Sequence, residues 1–450
     1  MVAVCATWLL VASVSVLAQH GANPQHWVGT WATAGFGRNQ TPPGQNLARG
    51  QAPQAPAQPP SAPAQTTPAP QAQNPGAATG QGTAPARPAP LNFNNQTLRQ
   101  IVHTSIGGAT IRVVLSNVFG TAPLVIGAAR IALQEKAAAI VPKSDRVLTF
   151  DGRATTTIYG GAIALSDPVQ LPVPDFANLA IDLYLPGDTA ASPSPLTMHQ
   201  FALQTNYVSP AGDHAGTVDM PVIATTTAWF FLARVEVMAP RQTGAVVAFG
   251  ESTTDGNGST PDGNDRWPDA LARRLKAQNI RMAVLNTGIA GSRILNDGGS
   301  PSALARFDRD VLAQPGVTHV IDMGGGNDIS ARQTPSPTAT EIIAGHKQLI
   351  ERAHAHGLKI YGATLTPLGG GRQPWPPENE AKRLAVNEWI RTGNAYDGVI
   401  DFDAVVRDPQ SPTKLLAQYA SSDNIHPNGA GYEAMAKAID LRFFTPIKDR

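Results

Sequence analysis

Cysteine is nearly absent: Cys5 is the only one in 450 residues, and it lies in an apolar leader. The rest of the chain therefore has no disulfide framework and no thiolate for catalysis or metal binding. An excess of one charge is also missing. Thirty-four basic and 33 acidic residues leave a formal net charge of +1. No like-charged run reaches five or six residues, so neither nucleic acid nor an anionic membrane is an expected electrostatic partner. Hydrophobic residues make up 42%, ample for buried cores and too few for a polytopic membrane protein. No His-Glu-x-x-His pattern occurs. His354 and His356 lie near a predicted helix end, where the dipole suits them, and no metal or other cofactor is expected.

What is present falls into four stretches. Residues 1–18 are apolar and uncharged and end in Val16-Leu17-Ala18, which reads as a secretory signal peptide cut after Ala18. The mature protein is then expected to be secreted, periplasmic or extracellular, without stable membrane insertion. No Lys or Arg precedes the run, so a membrane anchor or a misplaced start codon are the alternatives. The run is shorter than the ~20 residues of a spanning helix. Residues 51–90 hold 11 Pro, 12 Ala and 7 Gln, with no Val, Ile, Leu or aromatic. Such a segment buries too little apolar surface to offset chain entropy, and disorder or polyproline II is expected. A linker between domains is one reading. The preferred one is an insertion at about 40–90 within a β-domain spanning 27–241, because Trp27-Val28-Gly29-Thr30-Trp31-Ala32 already reads as a strand.

From residue 91 to 241 short alternating runs are separated by Gly, Pro, Asn and Asp clusters. Thr97 to Thr104, Thr110 to Leu115, Ala180 to Leu185 and Ala228 to Val237 read as strands of a sandwich, of jelly-roll type. At about Gly244 the pattern changes. Continuous apolar runs at 245–249, 282–285, 319–323, 358–363 and 399–402 alternate with helical stretches at 267–278, 303–312, 338–356, 378–391 and 429–443. Strand-helix alternation over 244–444 predicts a parallel sheet with helices on both faces.

In such sheets ligands bind beyond the carboxyl ends of the strands. Ser252 follows the first apolar run, Gly288 and Gly291 the second, and Asn327 the third. Ser252, in Gly250-Glu251-Ser252, offers a hydroxyl at a strand-end turn, although a turn serine alone is usually structural. His426 offers a base. Asp423, three residues earlier, can orient its imidazole and stabilise the imidazolium, or serve only as a cap. The Ser252 and Gly291 N–H groups and the Asn327 amide offer donors for a developing oxyanion. Arg293 could order that loop, meet an anionic group or form a structural salt bridge. Trp375, on a loop after the fourth strand, could stack on a sugar or aryl group or simply pack.

The ordered set resembles the SGNH (GDSL) hydrolase superfamily over residues 244 to about 444. The resemblance implies a three-layer, flavodoxin-like α/β fold. It assigns the namesake residues to Ser252, Gly291, Asn327 and His426, with Asp423 as partner acid. One residue departs from the pattern: Glu251 stands where the family's Gly-Asp-Ser has Asp, and altered local hydrogen bonding with retained activity is expected. Trp27 to Ala32, Thr97 to Ser105 and Arg112 to Asn117 are similar to the accessory β-domain of secreted esterases related to carbohydrate-active acylhydrolases. That implies a carbohydrate or aryl ester substrate, and the whole chain reads as a secreted serine esterase removing small acyl groups, acetyl above all, from a small-molecule or polysaccharide ester. The alternatives are a polysaccharide-binding protein with a degenerate hydrolase domain, and an acyltransferase using the same residues.

Overall fold

A computed structural model describes residues 25–40, 92–330 and 336–444. The expected signal peptide and nearly all of the expected insertion lie outside these residues.

The N-terminal unit is all β. Gln25–Ala32 pairs antiparallel with Leu232–Pro240, which pairs on its other side with Gly108–Ser116. In a second sheet, Asn94–His103 lies between Asn178–Asp188 and Asn206–Ala211. Val113, Leu115, Val235 and Val237 of one sheet share a core with Leu98, Val102, Ile181 and Leu183 of the other. Gln25–Ala32 and Asn94–His103 thus belong to one β unit, on either side of residues 41–91. The second sheet also buries a charged pair: Arg99 Nε and Nη2 each donate to the Asp182 carboxylate at 2.7 Å.

The expected strand from Ala228 to Val237 is two strands. Trp229–Phe230 pairs with Leu196–His199, whereas Leu232–Pro240 joins the first sheet. The chain turns at Phe231, which has φ 59°. A bulky residue rarely adopts this conformation; here the ring is buried at 1% exposure, which offsets the backbone cost.

The C-terminal unit has five parallel strands: Gly244–Gly250, Met282–Gly288, Val317–Met323, Lys359–Ala363 and Gly398–Ile400. Their spatial order is second, first, third, fourth, fifth, one of the two common doubly wound arrangements. Every residue of Gly244–Gly250 is buried, which explains its unbroken apolar sequence. Phe307, Leu349 and Val386 cover one face, and Trp267, Leu271 and Met435 cover the other. Pro268 occupies the first turn of its helix, and Thr338 with Glu341 forms a capping box at the next long one. Two helices end sooner than expected. Ala303–Phe307 passes into a π-helical turn at Asp308–Leu312. The last helix stops at Ala438, where extended backbone at Ile439 drops that side chain into the core at 1% exposure.

The β unit covers the sheet edge formed by Met282–Gly288. Ser105 Oγ accepts the Val284 N–H at 3.1 Å, and Val28 and Ala32 pack with Leu285. An edge that would otherwise expose unpaired backbone is thereby closed.

Candidate active site

The chain leaves the first strand at Gly250 and turns at once into a short helix, Ser252–Asp255. Ser252 is thereby lifted to the carboxyl rim of the sheet. His426 arrives there on the loop before the final helix, whose N-cap Asn428 accepts the Gly431 N–H at 3.0 Å. Its Nε2 lies 2.8 Å from Ser252 Oγ, and its Nδ1 lies 2.6 Å from Asp423 Oδ2. Asp423 does two jobs at once. Its Oδ1 accepts the N–H groups of Ile425 and His426 at 2.9 and 3.0 Å and the Ser421 hydroxyl at 2.8 Å. Partial burial works against its charge, but the His426 ring and these N–H donors outweigh it and hold its pKa down to about 2.

Two backbone N–H groups, those of Ser252 and Gly291, have no acceptor among the described residues. The loop carrying Gly291 fits against the serine turn because Gly288 has no side chain: a Cβ there would lie 2.3 Å from the Asp255 nitrogen. Gly291 itself has φ +77°, with open space where a Cβ would point. Asp255 Oδ2 accepts the Ala290 N–H at 2.8 Å and so fixes the residue before it.

Asn327 lines the same cavity, with its amide already engaged. Nδ2 donates to the Ser292 carbonyl at 3.0 Å and to Glu251 Oε2. Glu251 also accepts the Gly326 N–H at 2.8 Å and the Asn327 N–H at 2.9 Å. Burial and the neighbouring Asp328 carboxylate push the Glu251 pKa up to about 8, against the pull of these donors. The extra methylene of Glu251 is thus what spans the gap between the serine strand and the Asn327 loop. The cavity, about 230 Å³, is walled by Ser252, His426, Asn327, Leu365, Leu368 and Ile425.

Residues 248–434 match the GDSL-like Lipase/Acylhydrolase family. The C-terminal unit is a GDSL-like hydrolase domain. The chain is accordingly a carboxylic ester hydrolase carrying an additional β-rich N-terminal unit. Similar solved structures include the lipase/acylhydrolase from Enterococcus faecalis, at 21% identity over 44% of this chain and 93% of that one, TM-score 0.36. A carbohydrate acetylesterase family member from Sinorhizobium meliloti is 16% identical over 45% and 97%, TM-score 0.36. An acetyl-xylooligosaccharide esterase from Geobacillus, solved as a point mutant, is 21% identical over 46% and 100%, TM-score 0.35. No curated protein matches the chain.

The remaining sequence candidates lie elsewhere in the GDSL-like domain or serve packing. Trp375 packs against the core, and its Nε1 donates to Glu380 at 2.9 Å. Arg293 lies beside Gly298. His354 pairs with Asp397 at 2.9 Å, and His356 meets the Arg352 carbonyl at 2.9 Å. No group of three or more His, Cys, Asp or Glu able to hold a metal ion occurs among the described residues. Nor is any helix there long and apolar enough to cross a membrane.

Two neighbours of the site had no assignment from sequence. Asp255 lies three residues after Ser252, and that spacing was the available signal. Arg306 is buried and donates to the Thr287 and Gly250 carbonyls, both at 2.7 Å, tying two strand ends together. Nothing in its local sequence marks it.

Proposed function

We propose that this chain hydrolyses esters of short acyl groups through an acyl-enzyme on Ser252. The observation that carries the reading is the 2.8 Å contact between Ser252 Oγ and His426 Nε2 at the mouth of the cavity. Ser252 Oγ attacks the ester carbonyl while its proton passes to His426 Nε2. Asp423 holds the Nδ1 hydrogen and stabilises the resulting imidazolium. The carbonyl oxygen becomes an oxyanion and is met by the N–H groups of Ser252 and Gly291. The Asn327 amide is a third donor, provided one of its two resting bonds is shared with the substrate. Collapse of the adduct breaks the bond to the alcohol, which leaves with the proton from His426. Water then repeats the sequence on the acyl-enzyme, releasing the acid and restoring Ser252.

The limited cavity and its Leu365, Leu368 and Ile425 wall support an acyl group as small as acetyl. Larger ligands occupy larger clefts, roughly 300–1,000 Å³. A carbohydrate alcohol and secretion after loss of residues 1–18 complete the reading. They rest on the N-terminal sequence: the first on the resemblance of its β segments, the second on its leader. Purified Ser252→Ala protein tests the core of the proposal against p-nitrophenyl acetate. Loss of turnover by several orders of magnitude with folding intact is expected, and parent-like hydrolysis would rule it out. Acetate release from acetylated xylan or pectin tests the alcohol, and the N-terminal residue of the exported protein tests secretion.

A further inference from the structure

The β unit meets the loops around Ser252 at more than one point: Ile289, two residues before Gly291, packs into its core, and a buried histidine reaches the serine turn itself. His199, at the end of Leu196–His199, is 3% exposed and faces the turn Ser252–Asp255. Its Nε2 lies 3.0 Å from Asp255 Oδ1, and its Nδ1 lies 2.8 Å from the Ala34 carbonyl oxygen. A carbonyl can only accept, and an ionised carboxylate likewise, so both ring nitrogens carry hydrogen. Burial opposes the charged ring, but Asp255 outweighs it and holds the His199 pKa above its ordinary value. Asp255 in turn joins the two halves of the site. Its N–H donates to the Glu251 carbonyl at 2.9 Å, and its Oδ2 takes the Ala290 N–H at 2.8 Å, one residue before Gly291.

We propose that His199 is a positioning residue for ester hydrolysis: by fixing Asp255, it aims the Gly291 N–H at the oxyanion. The inference rests on the reading of Ser252 and Gly291 given above. On this account the β unit completes the oxyanion-binding loop of the neighbouring unit. A donor aimed at the oxyanion acts in the transition state and hardly at all on bound substrate, so its displacement lowers kcat and leaves KM in place.

The test uses the full chain with p-nitrophenyl acetate and, as oxyanion probe, a short trifluoromethyl ketone that adds to the serine. His199→Phe keeps a planar aromatic ring, somewhat larger, and removes both ring nitrogens. Its kcat is expected to fall about 10- to 100-fold, the range of a donor misplaced by up to an ångström. KM should stay at the parent value, and the ketone should weaken by a factor like that on kcat. His199→Gln, which restores one donor, should lie between His199→Phe and the parent. A purely structural His199 would lower the unfolding temperature yet leave kcat and ketone affinity unchanged below it, which overturns the proposal. If His199→Phe does not fold, His199→Gln decides: reduced kcat with unchanged KM supports the proposal, and parent kcat overturns it. Ser252→Ala in parallel separates two failures. If it hydrolyses like the parent, the site reading falls and this inference with it; if it is inert beside a fully active His199→Phe, only the inference falls.

Discussion

Replacing Glu251 by Asp restores the residue that the GDSL resemblance would lead one to expect, yet this structure says that it will do harm. The Glu251 carboxylate, 8% exposed, sits 2.8 Å from the Gly326 nitrogen and 2.9 Å from the Asn327 nitrogen. Asp is shorter by one C–C bond, about 1.5 Å, which would stretch both contacts to roughly 4 Å, outside hydrogen-bonding distance. Each buried N–H left without an acceptor costs about 1–3 kcal/mol, and the missing methylene about 0.8 kcal/mol more. Movement of the loop recovers part of this, so a net loss of about 2–4 kcal/mol is expected. For a domain of this size that lowers the unfolding temperature on the order of 5–10 °C. Turnover should fall as well, because Asn327 loses its carboxylate anchor. Calorimetry and p-nitrophenyl acetate kinetics on Glu251→Asp read both effects. Unfolding within about 1 °C of the parent, together with unchanged kcat, would refute the reasoning, since a loss of 1 kcal/mol already shifts the transition by about 2–4 °C.

Four further outcomes are expected. The folded Glu251 pKa of about 8 exceeds the ordinary 4.5, so the folded state retains a proton that the unfolded chain has released. Parent stability relative to Glu251→Gln should therefore fall as pH rises from 4.5 to about 8 and level off above, which denaturant melts across that range would show. Asp423 has the opposite sign: its folded pKa is depressed to about 2, so its stabilisation is complete above the unfolded value near 3.8 and is lost as pH falls through 2. Asp423→Asn should give a stability deficit that is constant at neutral pH and vanishes in acid, with kcat reduced by up to about 10⁴-fold through the wrong imidazole tautomer. Asn327→Ala should lower kcat about 10²- to 10³-fold if its amide meets the oxyanion, with KM for p-nitrophenyl acetate little changed. Gly288→Ala places a Cβ 2.3 Å from the Asp255 nitrogen; unfolding experiments should show about 1–3 kcal/mol of destabilisation, with activity reduced by displacement of the serine turn.

The parallel sheet could be read from sequence because its strands are covered on both faces. Runs such as Ala245-Val246-Val247-Ala248-Phe249 announce burial without needing a partner to interpret them, and the motifs mark the strand ends. The β unit was legible as strands only in outline. Trp229, Phe230, Phe231 and Leu232 are all buried, so no alternation marked the turn at Phe231. At the site, Ser252, His426 and Asp423 meet because the turn after the first strand and the loop before the last α-helix reach the same rim. Side-chain reach was not readable: that Glu251 would take the Asn327 amide depends on how two loops approach one another. His199 was silent for a different reason. It is a lone histidine in a strand, and its partner Asp255 lies 56 residues away in the other unit.

The central claim is that Ser252 carries the acyl group during turnover. Acid quenching of the enzyme during hydrolysis of a short-chain ester, followed by mass spectrometry of its peptides, tests it most directly. One acyl group should appear on the peptide containing Ser252 in the parent, and none in Ser252→Ala. An acyl group on another residue, or rapid hydrolysis by Ser252→Ala with no adduct, would contradict the account.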